Sequence, residues 1–154
     1  MSMVVTGDED VTLGTVTFGA ASSFNAATSS GKMNLTTTTL LPTVTTGSGA
    51  DTLVVNGADV HTVSMNAGND TLTITNTSES SSFDTGDGAD TINVDKATNV
   101  YVVAGGAGND TFTTAVALAG TIAGGDGSAD EITIDGAGAL TMAGSFRMSG
   151  IEVF

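Results

Sequence analysis

Five acidic residues recur along this chain at nearly constant spacing. Asp51, Asp70, Asp90, Asp110 and Asp130 lie 19, 20, 20 and 20 residues apart. Each closes a glycine-rich stretch and opens an alternating run: "TGSGADTLVV", "NAGNDTLTIT", "TGDGADTINV", "GGAGNDTFTT" and "GGDGSADEITI". A fixed period of this length is the mark of a solenoid, in which one supersecondary unit stacks on the next because it cannot bury its apolar face alone. One such stretch would constrain little. Five in register constrain the whole fold.

The runs between the acids set the fold class. Helical periodicity is nearly absent and period-two alternation is everywhere. Two residues beyond each acid stand Leu53, Leu72, Ile92, Phe112 and Ile132, with Ile74, Val94 and Ile134 next on the same face. Seven residues before the acid stand Val44, Val63, Phe83 and Val103, with Ile122 eight before Asp130. Each period therefore reads as strand, glycine-rich turn, strand and looser return. The expected fold is all-β, a parallel β-solenoid (β-helix or β-roll) with coils of about 20 residues and neighbouring strands about 4.8 Å apart. An antiparallel sandwich with glycine-rich hairpins is the alternative, although nothing in a sandwich requires even spacing.

Two regions depart from the period. Residues 44–154 carry the repeat, whereas residues 1–43 read as less regular β rungs that continue or cap the solenoid. "FNAATSSGKMNLTTTT" has the alternation but no acid-bearing turn, so it is expected to supply one or two rungs without metal. "LTMAGSFRMSGIEVF" also leaves the repeat, and its final apolar strand suggests a piece of a longer protein.

The turns explain the acids. Glycine reaches positive φ without a steric penalty and lets carbonyls point into the turn. Two stacked turns line the gap between them with carbonyl oxygens and one carboxylate from each, a cage of hard oxygens suited to calcium. Magnesium keeps its waters and demands a tighter octahedron, while zinc wants His or Cys, and the chain has one His and no Cys. Without a cation, carboxylates about 5 Å apart at an effective dielectric near 20 repel by roughly 3 kcal/mol per pair. Asp84, Asp87 and Asp126 crowd the same edge.

Charge points the same way. Seventeen acids against three basic residues give a net charge of −14. Nucleic acid and anionic membrane surfaces should repel such a chain, and multivalent cations are its natural counter-charge. No disulfide or thiolate site is available. No stretch approaches the apolar length of a membrane helix, and the first residues, "MSMVVTGDED", do not read as a basic-then-apolar leader.

Catalysis finds little support. His61 stands alone beside Val60 and Val63 on a strand, where it reads as an exposed or edge histidine, and no nucleophile–base–acid set can be assembled. Paired acids are plentiful, but the groups that would hold a sugar (Lys32, Lys96, Arg147, Tyr101) are scattered over different rungs, and Trp is absent. The chain is not expected to be an enzyme.

"GGAGNDTF" resembles the nonapeptide Gly-Gly-x-Gly-x-Asp-x-apolar-x of the repeats-in-toxin family. The resemblance covers about residues 44–154 and extends loosely over the first 43. It implies that Gly105, Gly106, Ala107 and Gly108 offer carbonyls, Asp110 a carboxylate and Phe112 the inward plug. Along the same alignment the implied calcium ligands are Thr46, Gly47, Ser48, Gly49 and Asp51; Asn66, Gly68 and Asp70; Gly86, Asp87, Gly88 and Asp90; and Gly125, Asp126, Gly127 and Asp130. Asn66 replaces the second glycine of its turn, and Ser128–Ala129 adds one residue before Asp130.

Family rolls place two nonapeptides in each coil and calcium on both edges. Here one motif recurs per coil, so one calcium column is expected. The opposite edge, with Asp59, Glu79 and Asp95, is too irregular to hold sites.

The one-sided coil, the Thr-rich rungs and the "GGDGSADEITI…MSGIEVF" ending resemble the surface-layer and large-surface-protein branch of the family. That implies a secreted structural protein of the bacterial cell surface. It would fold on calcium, assemble with copies of itself, and have cell-surface polysaccharide as a further candidate partner. An adhesin spacer or an ice-binding module is the alternative, and a polysaccharide-acting enzyme module stands further off. Thr52, Thr71, Thr91 and Thr111 form a column, with Thr73, Asn93, Thr113 and Thr133 beside it. In ice-binding relatives, however, the regular Thr lies between the glycines, where this chain has Ser48, Ala67, Asp87, Ala107 and Asp126.

Overall fold

A computed structural model describes residues 2–19, 22–38, 43–57, 61–76, 80–94, 101–115, 117–118, 120–136, 141–142 and 147–152. The strands run in chain order as β1 (Ser2–Gly7), β2 (Val11–Val16), β3 (Ser23–Ser29), β4 (Met33–Thr37), β5 (Thr43–Thr45) and β6 (Thr52–Asn56). They continue as β7 (Thr62–Ser64), β8 (Thr71–Asn76), β9 (Ser81–Asp87), β10 (Thr91–Val94), β11 (Tyr101–Ala107) and β12 (Thr111–Thr114). The remainder are β13 (Ala117–Leu118), β14 (Thr121–Asp126), β15 (Glu131–Ile134), β16 (Thr141–Met142) and β17 (Arg147–Ser149).

Two parallel sheets contain nearly all of them. One runs β1-β3-β5-β7-β9-β11-β14-β17 and the other β15-β12-β10-β8-β6-β4-β2. Strands adjacent in a sheet therefore come from successive periods, and the chain passes from one sheet to the other within each period. This is a parallel β-solenoid with coils about 20 residues apart. A third pair, β13 with β16, joins two return segments.

Even spacing becomes vertical register. In the first sheet Phe24, Val44, Val63, Phe83, Val103 and Ile122 pair in succession. In the second, Leu35, Leu53, Leu72, Ile92, Phe112 and Ile132 do the same. Both columns are buried and form the core between the sheets. Burying each such side chain contributes about 1.5–3 kcal/mol, and because every column is continuous, each coil completes the core of its neighbours.

The first four strands belong to the same two sheets. Their period is harder to see because register shifts interrupt β1–β3 between Val4 and Thr6, and β2–β4 between Thr12 and Gly14. The looser pairing tracks weaker burial: Met3, Val5, Val11 and Leu13 are only partly covered.

His61 departs from the sequence expectation. It is 1 % exposed and lies inside the solenoid at the return corner, neither exposed nor at an edge. Its Nε2 lies 3.2 Å from the Gly57 carbonyl oxygen, and its backbone N–H donates to Ser81 Oγ at 3.1 Å. Tyr101 occupies the same corner, two coils on from His61, and is equally buried. Burial pushes its hydroxyl up to about 12, opposed by the neighbouring Thr114 hydroxyl.

Candidate metal centre

The five acids share one column. Asp51, Asp70, Asp90, Asp110 and Asp130 lie just before β6, β8, β10, β12 and β15, and each is at most 1 % exposed. Their packing follows a single rule: each carboxylate accepts the backbone N–H one coil below. Asp51 N–H donates to Asp70 Oδ1 at 2.8 Å, Asp70 N–H to Asp90 Oδ1 at 2.8 Å, Asp90 N–H to Asp110 Oδ1 at 2.9 Å, and Asp110 N–H to Asp130 Oδ1 at 2.8 Å. Aspartate suits the position because its short side chain reaches one strand spacing along the rod.

The second oxygen is treated differently. Asp51 Oδ2 accepts the Gly47 N–H at 3.2 Å. Among the described residues, Oδ2 of Asp70, Asp90, Asp110 and Asp130 is buried and has no hydrogen-bond partner. A buried unsatisfied polar atom costs about 1–3 kcal/mol, and more when it carries charge. Four in one column ask for a shared explanation.

Burial shifts these groups accordingly. It raises Asp70 from 3.8 to about 7, against a lowering by the hydrogen bond from the Asp51 backbone, with the charges of Asp51 and Asp90 adding to the rise. Burial likewise raises Asp110 to about 6, and raises Asp90.

Backbone carbonyls stack in ladders along the turns. The carbonyl oxygens of Gly49, Gly68, Gly88 and Gly108 point along the rod into the space that a side chain on Gly68, Gly88, Gly108 or Gly127 of the next coil would fill. A parallel ladder is formed by Asn66, Gly86 and Gly106, whose carbonyls face Gly86, Gly106 and Gly125. Glycine is required here by close approach. At Gly106, φ is 109° as well, a conformation side chains resist.

Some ligand candidates have another partner within the fold. The carbonyls of Asp87, Ala107 and Asp126 accept the N–H groups of Gly68, Gly88 and Gly108 at 2.8, 2.7 and 2.9 Å, and those of Asn66 and Gly47 accept the Asp87 and Ala67 N–H groups at 2.7 and 3.3 Å. The Asp87 and Asp126 side chains are exposed, outside the buried column, as is Ser48. Thr46 and Thr85 hydroxyls donate to the Met65 and Gly105 carbonyls at 3.0 and 2.7 Å. Among the described residues no three His, Cys, Asp or Glu side chains converge. Any metal here would take one carboxylate per coil and the remaining oxygens from the backbone, the donor set of a hard cation such as calcium.

The two departures from the repeat are accommodated. Asn66 adopts φ 66°, the left-handed conformation Asn tolerates best after glycine, and its side chain donates to the Thr46 carbonyl and accepts from Ser64 Oγ at 3.1 Å. The extra residue before Asp130 is absorbed between Gly127 and Asp130, where the Ser128 N–H donates to Asn109 Oδ1 at 3.2 Å. Asp130 stays in the column.

The column stops at a hydrophobic residue. Asn34 pairs with Thr52, so Met33 takes the acid's place one coil below Asp51, and its N–H donates to Asp51 Oδ1 at 2.7 Å. Asp59, Glu79 and Asp95, of the opposite edge, and Val60 and Lys96 lie outside the described residues.

The outward face of the second sheet carries the threonines. Thr52, Thr71, Thr91 and Thr111 are in register, and Glu131 continues the row. A shallow pocket on this face includes Thr73, Asn93, Thr113 and Asp135 in its lining and no aromatic ring.

The chain matches no protein-family model, no curated protein and no solved structure.

Proposed function

We propose that this chain is a structural segment of a secreted bacterial surface protein, folded by calcium bound between successive turns. The reading rests on one observation: four buried carboxylate oxygens without hydrogen-bond partners among the described residues, in a column beside ladders of backbone carbonyls. Calcium would take Oδ2 of the acids together with turn carbonyls. The bond from each acid's Oδ1 to the coil below already orients the carboxylate for this.

Folding and binding are then one process. At the low calcium of a cytoplasm, the column either repels itself or takes up protons, and the coils lose their staple. Millimolar extracellular calcium matches the 10⁻⁴–10⁻³ M range of extracellular oxygen sites, so export and folding are coupled. A stiff rod of stacked parallel sheets suits assembly with further copies into a surface layer or filament. The alternative use of the same rod is an adhesin spacer or a face that binds an ordered surface such as ice. The in-register row Thr52–Thr71–Thr91–Thr111 lies on the strands rather than between the turn glycines, where it serves β-propensity and hydroxyl ladders.

Far-UV circular dichroism with calcium and then excess chelator tests the metal reading. Loss of most β signal on chelation is expected, and an unchanged spectrum would refute it. Light scattering over the same titration tests assembly: growth of large particles with calcium is expected, and a strictly monomeric protein leaves the spacer reading.

A further inference from the structure

We propose that Glu152 closes a further divalent-cation site, between the Asp130 coil and the turn at Gly150, extending the column past the five aspartates. The inference rests on the calcium reading above and adds a residue that the repeat does not mark.

Glu152 does for Asp130 what each aspartate does for the one below. The Asp130 N–H donates to Glu152 Oε2 at 2.8 Å, the same bond and length as Asp110 N–H to Asp130 Oδ1. The residue type and position differ in compensating ways. The Glu152 N–H donates to the Asp130 carbonyl at 2.9 Å, the bond that Thr71, Thr91, Thr111 and Glu131 make to the acids below them. Glu152 therefore sits one register place beyond the column, which Ile151 occupies, and the extra methylene of glutamate brings its carboxylate back.

The oxygens of a site converge at the same level. Asp130 is fully buried, and its Oδ2 has no hydrogen-bond partner among the described residues. A side chain on Gly124 would lie 2.6 Å from that oxygen and collide with the Gly150 carbonyl. One coil below, a side chain on Gly105 would likewise meet Asp110 Oδ2 and the Gly124 carbonyl. The two cradles are built alike, and both are left open by glycine where the coils at Thr46 and Thr85 place a hydroxyl. In the upper cradle Asp130 Oδ2 and the Gly150 carbonyl offer hard oxygens to one cation, and the Glu152 carboxylate, held to the Asp130 N–H, brings a second negative charge beside them. Because Glu152 is exposed, this site faces water more than those below it and should exchange its ion most readily.

Calorimetric calcium titration of the full chain, with Glu152→Gln, Glu152→Asp and Gly124→Ala, tests this. Wild type should show one more equivalent of calcium than Glu152→Gln, with the other sites retaining their affinity and the β signal preserved. Glu152→Asp keeps the charge but not the reach, and Gly124→Ala fills the cradle, so each should also lose that equivalent. Unchanged stoichiometry and affinity in all three variants would overturn the role of Glu152 while leaving the column intact. A wild-type chain that binds no calcium would instead sink the reading beneath it, and this proposal with it.

Discussion

The backbone N–H of Asp90 donates to Oδ1 of Asp110 at 2.9 Å, and Oδ2 of Asp110 has no hydrogen-bond partner among the described residues. One oxygen ties two coils together, and the other faces a cradle lined by the Gly124 carbonyl. Repeated along the rod, this division makes the acid column part of the fold and, under the calcium proposal, a receptor for cations.

Replacing a central acid should therefore do two kinds of damage. Asp90→Ala and Asp110→Ala remove a buried hydrogen bond and a carboxylate ligand, whereas Asp135→Ala removes an exposed charge. The central variants should raise the calcium midpoint for folding about tenfold or more, equivalent to at least ~1.4 kcal/mol. Asp135→Ala should leave it nearly unchanged. The check is a calcium titration followed by circular dichroism, and equal effects would place the cation elsewhere.

Glycine substitutions should separate close approach from conformation alone. Gly106→Ala forces positive φ on a side chain and drives its Cβ into the Gly86 carbonyl, whereas Gly14→Ala shares the positive φ but meets nothing within 4 Å. The first should cost more than the ~1–2 kcal/mol of left-handed strain, and the second no more than that. Urea unfolding in saturating calcium measures both.

The metal-free protein should have an inverted pH dependence. Burial raises Asp70 to about 7 and Asp110 to about 6 from 3.8. A carboxyl with a raised folded-state value stabilises the fold fully below its unfolded value, and that contribution is lost as pH rises through the folded one. In chelator, thermal stability should therefore be highest near pH 4 and fall between about pH 4 and 7. In saturating calcium the bound ion holds these carboxylates ionised, so acidification should destabilise instead. Melting curves at several pH values, with and without calcium, decide whether the two slopes have opposite signs.

Core truncation should be costly in every coil of the regular stack. Phe83 and Phe112 are at most 1 % exposed and sit in the two continuous apolar columns. Phe83→Ala or Phe112→Ala should destabilise by about 3–5 kcal/mol in saturating calcium, measured by urea unfolding.

Much of this fold is legible in the sequence because the repeat is a one-dimensional signal. Even spacing of Asp51 to Asp130 sets the coil length, and Val44 to Ile122 and Leu53 to Ile132 mark the two buried columns. Less visible is anything that keeps its place in space while shifting in sequence. Glu152 reaches the column from one register place away, and bulges at Val4/Thr6 and Thr12/Gly14 obscure the first coils. Met33 fills the acid's place but lies 18 residues before Asp51 and 22 after its own partner Val11. His61 reads as an edge residue because a lone polar side chain in an alternating run carries no sign of the return corner that encloses it. Asn66 carries the opposite lesson: a residue that breaks the glycine pattern can still adopt its backbone conformation.

The most direct measurement is a crystal structure determined in millimolar calcium, with anomalous scattering used to identify the ion. Calcium stapling predicts cation density between successive turns, 2.3–2.6 Å from Oδ2 of Asp70, Asp90 and Asp110 and from turn carbonyls. Turns without ions in ample calcium, or these carboxyls satisfied by protons or water alone, would contradict it.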